Sequence, residues 1–539
     1  RFGATRLGQL VLAWLIGLAL AAPVILTFLE YTRVSFTAHE GWQRLGLQAA
    51  PLADLVLLWV PEWRGMSVVS LLDGSTYAGA SVVLLALVSL YPARTRLHRQ
   101  LTAFFAIAAG LLLAKIYGAP IISAIGLLPG LNVTFIPKWS APVASFCIAF
   151  LAGLGIQRLL TDGAPSKTRT RALAILLALT VVGILLNWNT LLRPPIARAA
   201  FGLGIFLVFA FVSWHVLGLG KRFAATGVAL LCCQLVVLEL FAYGPHNTYQ
   251  KRFDLLAEPP FATFLRQQEA GQPSRIFALD GILYPNLATT YGMSDIRALD
   301  ALYPERYLDY IRNFVSPDVI DRFSGDPDGS TEGPARIVGN PWFDLTGVRY
   351  VVTTPEDTSL SHCPPVSCQY RGIYTGEVQV FENTHALPRA FLVGRVKVVD
   401  GPQAAIAAMK QESVDPRDLA IVETLPGNAP GDVLPGGGNA EIIGYASSNV
   451  TIAVDASAPS LLVLTDTYYP GWKATVDGRE APIFATDLAF RGVRVPAGHH
   501  LVAFSYDPVT FRLGLAVGFI GLVALLLFAA WPRITRQHH

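Results

Sequence analysis

TDTYYPGWKATVDGREAPIFATDLAFRGVRVPAGHHLVAFSYDP, residues Thr465–Pro508, continues directly into VTFRLGLAVGFIGLVALLLFAAW, residues Val509–Trp531. The first stretch alternates apolar and polar residues, and its Asp477-Gly478 pair is typical of a two-residue β-hairpin turn. The second stretch is apolar over a length that can cross the ~30 Å hydrocarbon layer as a helix. The sequence therefore predicts a water-soluble β module that is attached directly to a membrane helix.

The rest of the chain has the same mixed character. Its 539 residues are 53% hydrophobic and 15% charged, whereas a typical soluble domain has about 25% charged residues. The net charge is +3, and no basic run is interleaved with aromatic residues, so a nucleic-acid partner is not expected. Apolar runs predict about eight membrane spans, at Leu7–Leu29, Thr76–Ala93, Leu101–Tyr117, Ala141–Leu160, Ala172–Leu192, Ala197–Gly220, Phe223–Tyr243 and Val509–Trp531.

Basic residues predict how these spans are oriented, because short cytoplasmic loops collect Lys and Arg. Both ends of the chain and the basic loops around residues 94–99, 167–171 and 221–222 fall on one side. We expect that side to be the cytoplasm, with a cytoplasmic C-terminus. The loops 30–75 and 118–140 and the long stretch 244–508 then lie on the outer face.

The predicted fold is a polytopic α-helical membrane protein with a large extracytoplasmic part. We expect an α/β domain where strand-like segments (SRIFAL, VRYVVTT, RAFLVGRVKVV and DLAIVE) occur with a short helix-like one (PQAAIAAMKQE). A linker where Gly and Pro dominate and a β-sandwich module should follow it. The predicted divisions are a bundle of about seven spans at 1–243, the α/β domain at 244–424, the linker at 425–439, the β-sandwich module at 440–508, the last transmembrane helix at 509–531 and a cytoplasmic tail at 532–539.

Charged residues at the outer interface are the candidates for chemistry. Glu30 and Glu62 in the first outer loop could act as general bases toward an acceptor hydroxyl, next to Arg33 and Arg64. The alternative is that these charges are solvated or paired with each other. Lys138 in the second outer loop is placed to bind a lipid phosphate, or it anchors the interface by extending toward water.

For two further pairs of residues, the sequence is compatible with either a functional or a purely structural role. Tyr469 and Trp472 could stack on sugar rings, or they could pack the core of the β module or its contact with the membrane face. Cys363 and Cys368 in HCPPVSC could form a local disulfide outside the cell, or remain two free thiols. The chain has no phosphate-binding glycine loop and no His/Cys metal motif, so no cofactor is predicted, and a divalent metal held by outer carboxylates remains open.

Several stretches together resemble the YfhO family of bacterial membrane proteins, which is related to the GT-C class of glycosyltransferases. They are AAPVILTFLEYTRVSF, PKWSAPVASFCIAFLAGLGIQRLL, PNLATTYGMSDIRALDALYPERY, NPWFDLTGVRYVVTT, RAFLVGRVKVV, TYYPGWKATVDGREAPI and AFRGVRVPAGHHLVAFSYDP. The resemblance implies a GT-C-like helical bundle and transfer of a sugar from a polyprenyl-phosphate donor to a cell-envelope polymer such as teichoic acid, on the outer face of the membrane.

The resemblance also bears on the site residues. The principal catalytic acid of GT-C enzymes is expected in an early outer loop, upstream of Arg1, which makes Glu30 and Glu62 secondary candidates. Lys138, Arg64 and Arg33 are the expected ligands of the donor phosphate, and Trp472 and Tyr469 those of the sugar or acceptor. Membrane lipids are further expected partners. The alternatives are a non-catalytic scaffold for envelope assembly with the same fold, or a flippase for lipid-linked sugars.

Overall fold

The computed structural model of the chain divides into two compact units, one formed by Arg1–His39 with Asp254–His539 and the other by Glu40–Phe253. The division shows that the first helices of the chain fold together with its C-terminal half. The structure describes residues 4–36, 47–60, 77–91, 95–128, 131–132, 134, 136–162, 166–186, 196–219, 225–243, 257–268, 273–279, 282–283, 285–297, 302–317, 337–360, 368–411, 414–423 and 436–536.

The first apolar segment is a bent pair of helices, α1 (Ala4–Leu20) and α2 (Ala22–Val34), which meet at an angle of 65°. Pro23 causes the bend, because it lacks the N–H that would continue the hydrogen-bond ladder and its ring crowds the preceding turn. The sequence predicted one continuous span, Leu7–Leu29, and the structure corrects this to two helical segments.

Helices of the second unit build an apolar bundle. Their bounds are Ala80–Ser89 (α3), Arg96–Ile116 (α4), Pro120–Ser123 (α5), Ile136–Asp162 (α6), Ser166–Leu186 (α7), Ile196–Val216 (α8) and Ala225–Tyr243 (α9), with 3-10 turns at Leu52–Leu58 and Ala124–Leu127.

Two buried polar contacts position elements of this bundle. Glu239 on α9 accepts hydrogen bonds from the backbone N–H groups of Ala80 at 2.6 Å and Ser81 at 2.9 Å. The carboxylate thereby satisfies donors that the first turn of α3 leaves unpaired. The indole Nε1 of Trp59 donates to Oγ1 of Thr180 on α7 at 2.8 Å, which fixes the end of the 3-10 turn Leu52–Leu58 in the core.

Shorter helices of the first unit are Pro260–Gln268 (α10), Leu287–Thr290 (α11), Glu305–Tyr310 (α12), Pro341–Leu345 (α13) and Gly401–Met409 (α14), with a π turn at Ile311–Val315. The unit ends in a long apolar helix, α15 (Val509–Arg536).

Membrane-spanning length is reached by four helices among the described residues, namely α4, α6, α7 and α15, or by five spans if the bent pair counts as one. The apolar segments Ala80–Ser89, Ala200–Val216 and Thr226–Phe241 are shorter. Of the eight predicted spans, the third, fourth, fifth and eighth are therefore helices of membrane-spanning length, and the second, sixth and seventh contain α3, α8 and α9.

Among the residues that the structure describes, fifteen strands form three sheets in the first unit. The strands are Arg275–Ala278 (β1), Val348–Thr353 (β2), Tyr370–Thr375 (β3), Gln379–Asn383 (β4), Ala390–Val393 (β5), Arg395–Val399 (β6), Leu419–Glu423 (β7), Gly438–Ala446 (β8), Asn449–Ala456 (β9), Ser460–Thr467 (β10), Trp472–Val476 (β11), Arg479–Ala481 (β12), Phe484–Thr486 (β13), Phe490–Val495 (β14) and Gly498–Tyr506 (β15).

The sheet orders are β1-β2-β4-β3, β5-β10-β14-β13-β7-β6 and β12-β11-β15-β9-β8. The predicted hairpin is confirmed, since β11 pairs with β12 through Val476 and Arg479, and both Asp477 (φ 52°) and Gly478 (φ 77°) have the positive φ that this turn requires.

The six-stranded sheet contains strands from both sides of the predicted linker. Strand β10 pairs with β5 on one side and β14 on the other, and β13 pairs with β7. One apolar core joins the five-stranded sheet to a face of the six-stranded sheet, with Ile452 and Phe504 from the former and Leu462 and Val493 from the latter. Residues 440–508 therefore do not form both layers alone, as the predicted sandwich required, because β5 supplies Ala390 to the same core.

Candidate functional site

Glu30 lies near the end of α2, where the apolar helix meets the β structure of the first unit. Its Oε2 accepts a hydrogen bond from Oγ1 of Thr510, in the first turn of α15, at 2.5 Å. The next residue, Tyr31, donates its hydroxyl to the carbonyl oxygen of Leu302 at 2.8 Å. The last part of α2 is thus held on one side by α15 and on the other by the segment that follows Leu302.

Aromatic residues of the β module surround this point. The ring of Tyr469 lies 6.2 Å from that of Tyr31 and 6.1 Å from that of Tyr506, measured between centroids. Trp472 is 5.4 Å from Tyr506, and the guanidinium of Arg491 lies over the Trp472 ring at 3.7 Å. Burial raises the pKa of Tyr469, and the hydroxyl of Tyr506 and the carboxylate of Glu30 raise it further.

Two predicted site groups, the Glu30 carboxylate and the Tyr469/Trp472 pair, are therefore brought together. Both aromatic side chains are half-buried and make contacts within the protein, which is the packing alternative. Sugar stacking by these rings remains a prediction, and Arg491 already covers one face of Trp472.

A cavity of about 270 Å³ begins beside Tyr31. Its wall includes the charged side chains of Arg275, Asp295 and Arg297 and the hydroxyl groups of Tyr307 and Thr465. Arg297 is buried and binds the Asp295 carboxylate at 2.8 Å through Nη2, which also donates to the carbonyl oxygen of Leu283 at 2.7 Å. The cavity wall thus carries charged and hydroxyl-bearing side chains, which are compatible with a polar, oxygen-rich ligand.

Asp466, at the end of β10, organises the wall behind this cavity. Its Oδ1 accepts from Nη2 of Arg275 at 2.9 Å and from Nη2 of Arg389 at 2.6 Å, and its Oδ2 accepts from the Tyr445 hydroxyl at 3.2 Å. Burial opposes ionisation of Asp466, but the guanidinium groups of Arg389 and Arg275 outweigh it and hold the pKa of Asp466 below its ordinary value.

The other predicted site residues are separate from this cluster or lie outside the described residues. Arg33 is exposed on the last turn of α2. Lys138 belongs to the second unit, where it is exposed at the start of α6 with its Nζ 5.2 Å from the centre of the Trp139 ring. Glu62 and Arg64 lie outside the described residues, and their roles stay predictions.

The predicted disulfide also stays a prediction. Cys368 is half-buried and has a free thiol in the structure, while Cys363 lies outside the described residues. Within the described ranges, no group of three or more His, Cys, Asp or Glu side chains is arranged to hold a metal ion.

Comparison with known proteins adds one finding to this geometry. The model of a family described as bacterial membrane protein YfhO matches residues 439–518. The resemblance to the YfhO family is confirmed over these residues. Neither the search of curated proteins nor that of solved structures found a match.

The YfhO match covers β8–β15 and the first turns of α15. It therefore includes Tyr469, Trp472 and Arg491, which make the aromatic contacts near Glu30. It also includes Asp466, which binds Arg275 and Arg389. Together with the apolar helices, the YfhO match identifies a membrane protein.

Sequence reasoning missed the arginines that converge on Asp466. Arg275 precedes the apolar run IFAL, Arg389 precedes AFLV, and Asp466 follows LLVLT. A charge at the end of a buried strand was the available signal. It was weak because such charges are ordinarily solvated, and only the sheet topology shows that these strand ends meet.

Proposed function

We propose that this protein is a membrane glycosyltransferase with a GT-C-like bundle. In this proposal it transfers a sugar from a polyprenyl-phosphate donor to a cell-envelope glycopolymer resembling teichoic acid, on the outer face of the cytoplasmic membrane. The YfhO match supports a membrane-associated role in the envelope, and the specific transfer is our inference.

One observation carries the proposal. A carboxylate, Glu30, lies near the end of an apolar helix, and the next residue along the chain, Tyr31, lines a cavity of about 270 Å³ whose wall also includes Arg275, Asp295 and Thr465. A lipid-linked sugar needs its isoprenoid chain in the bilayer and its head group in a polar cavity at the interface. The join between α2 and the β structure combines both requirements within the first unit.

The roles follow from the chemistry of the groups. Glu30 would accept the proton of the acceptor hydroxyl as that oxygen attacks the anomeric carbon, while the donor phosphate leaves. Arg275, at the cavity wall, would form a hydrogen bond to the sugar or its phosphate, since guanidinium groups bind oxyanions with fixed geometry. Lys138, Arg33 and Arg64 remain the proposed interfacial cations for the lipid phosphate.

Glu30→Gln tests the proposed base, because it keeps the size and the hydrogen-bond acceptor for Thr510 while removing proton-accepting ability. We expect the rate of sugar transfer from a polyprenyl-phosphate donor to purified envelope polymer to fall about 10²–10⁴-fold. The measurement is radiolabel incorporation into the polymer by the full-length protein in lipid nanodiscs.

Glu480→Gln is the matched control, since Glu480 is exposed on β12 at the opposite edge of the five-stranded sheet from β8. It should leave transfer unchanged. If the folded wild-type protein binds donor but transfers no sugar, the scaffold alternative replaces the enzyme. Movement of the donor between leaflets without transfer would favour a flippase.

A further inference from the structure

Two cations lie on the exposed face of α7 where that helix begins. Lys167 and Arg171 are both exposed, and their spacing of four residues places them next to each other on one side of the helix. Like charges at this spacing destabilise a helix because they repel each other. No acidic residue occurs in α7, so the helix itself supplies no counter-charge for this pair.

Two other arginines satisfy carbonyl groups at the same end of the bundle. Nη1 of Arg169 donates to the carbonyl oxygen of Trp214, in the last turn of α8, at 3.0 Å, and the guanidinium lies over the Trp214 ring at 5.5 Å. Nη1 of Arg158 on α6 donates to the carbonyl oxygen of Val88, in the last turn of α3, at 3.1 Å. Cations at helix C-termini are favourable, so these two arginines have a structural role.

The remaining charge at this end is strongly unbalanced. In the sequences of α3, α4, α6, α7 and α8 the one acidic residue is Asp162, the last residue of α6. The basic residues at the end where α4 and α7 begin and α6 ends are Arg96, Arg99, Arg158, Lys167, Arg169 and Arg171. An excess of cations of this kind attracts an anion from the surroundings.

An exposed apolar line continues along α7 from the cation pair. Steps of three and four residues from Arg171 lead down one face of the helix, and every residue on that line is exposed. They are Ile175, Ala178, Val182 and Leu185. The exposed fraction reaches 64% at Leu185, whereas Leu176, on the side that packs into the bundle, is fully buried. A phospholipid has the same layout, with a charged headgroup above apolar chains.

We propose that this face of α7 binds an anionic phospholipid. Its phosphodiester contacts Lys167 and Arg171, and an acyl chain lies along the line from Ile175 to Leu185. The headgroup supplies the negative charge that the surrounding helices lack. A free phosphate would gain only the charge contact, which is why the occupant is a lipid. The site lies at the opposite end of α6 from Lys138, and the proposal is independent of sugar transfer.

The test is photocrosslinking of the full chain in lipid nanodiscs. Ile175→p-benzoylphenylalanine places the probe one turn below Arg171. Labelled phosphatidylglycerol is compared with equally labelled phosphatidylcholine, and we expect phosphatidylglycerol to crosslink about fivefold more. The control probe is Leu238→p-benzoylphenylalanine on α9, a helix without Lys or Arg, where Leu238 is 60% exposed. It should crosslink both lipids equally.

Variants of the cation pair assign the preference to these side chains. Lys167→Gln combined with Arg171→Gln should abolish the preference at the Ile175 probe and leave crosslinking of phosphatidylcholine unchanged. Lys167→Arg combined with Arg171→Lys keeps both charges and should retain it. Arg479→Gln, at an exposed arginine on β12, should also retain it.

Three outcomes overturn the proposal. One is equal crosslinking of the two lipids at the Ile175 probe in the folded protein. Another is a preference that persists when both cations are replaced by Gln, or that is equally large at the Leu238 probe. The third is competition by soluble glycerophosphoglycerol as strong as that by unlabelled phosphatidylglycerol, which would show a phosphodiester site without a lipid chain.

Discussion

The carboxyl group of Asp487 lies in the core, where a charge is unfavourable. It is fully buried between β13 and β14, with a positive φ of 46°. Its Oδ1 accepts a hydrogen bond from the backbone N–H of Ile421 at 2.8 Å, while its Oδ2 has no hydrogen-bond partner among the described residues. Burial raises the pKa of Asp487 to about 7, against the smaller opposing effect of the Ile421 hydrogen bond.

This shift makes stability depend on pH. The unfolded chain loses the Asp487 proton near pH ~3.9, whereas the folded chain keeps it until about pH 7. The contribution of Asp487 to the free energy of unfolding should therefore be highest below pH ~4, fall by up to about 1.4 kcal/mol per pH unit as pH rises to about 7, and level off above it.

Asp487→Asn should remove this dependence, because the amide cannot ionise and Asn tolerates positive φ. The measurement is the denaturant midpoint of the full chain between pH 4.5 and pH 8, compared between the wild type and the variant. The difference between the two should grow with pH in favour of Asn. A difference that stays constant across this range would show that Asp487 does not titrate in the folded protein.

Helix α15 packs against the bent pair through glycines on one face. A Cβ added to Gly514 would lie 2.5 Å from the backbone Cα of Pro23, while one added to Gly518 would lie 3.6 Å from its nearest neighbours. Small residues spaced by four allow membrane helices to approach closely, because little hydrophobic driving force exists between helices in lipid. The break at Pro23 thus lies directly against Gly514.

Gly514→Ala should therefore destabilise the protein, because backbone atoms of α2 must shift to admit the methyl group. We expect a loss of about 1–3 kcal/mol in the free energy of unfolding, typical of overpacking. Gly518→Ala is the matched control on the same helix, and its ordinary contact should cost no more than about 0.5 kcal/mol. Both are measured by denaturant unfolding of the full chain in detergent, and equal losses would contradict the close approach at Gly514.

At the scale of elements, local sequence patterns predicted much of what the structure contains. The strands β1, β2 and β7 and the helix α14 occur where the residue patterns placed them. The hairpin at Asp477-Gly478 was predicted because its turn chemistry is contained in two residues. The run RAFLVGRVKVV, in contrast, was predicted as one strand and forms two, β5 and β6, separated by Gly394.

At the scale of the molecule, the sequence was less informative because the decisive pairings are distant along the chain. Strand β10 pairs with β5 through Val463 and Phe391, across the Gly/Pro-rich segment that predicted a domain boundary. The same distance hid the meeting of Arg275, Arg389 and Asp466. Glu30 could be suggested from its position after an apolar run, but its contact with Thr510 depends on α2 packing against the last helix.

The shared sheet predicts that the segment matching the YfhO family is not an independent folding unit. A fragment of residues 436–508 lacks β5 and β7, so β10 and β13 each lose a neighbouring strand. It would also expose Leu461, Phe484 and Phe490, which are buried in the core of the first unit. We expect this fragment to lack a cooperative thermal transition in near-ultraviolet circular dichroism. A fragment of residues 254–508, which restores these partners, should unfold cooperatively. If residues 436–508 alone unfold cooperatively at the same midpoint as the longer fragment, the pairing of β10 with β5 does not contribute to stability.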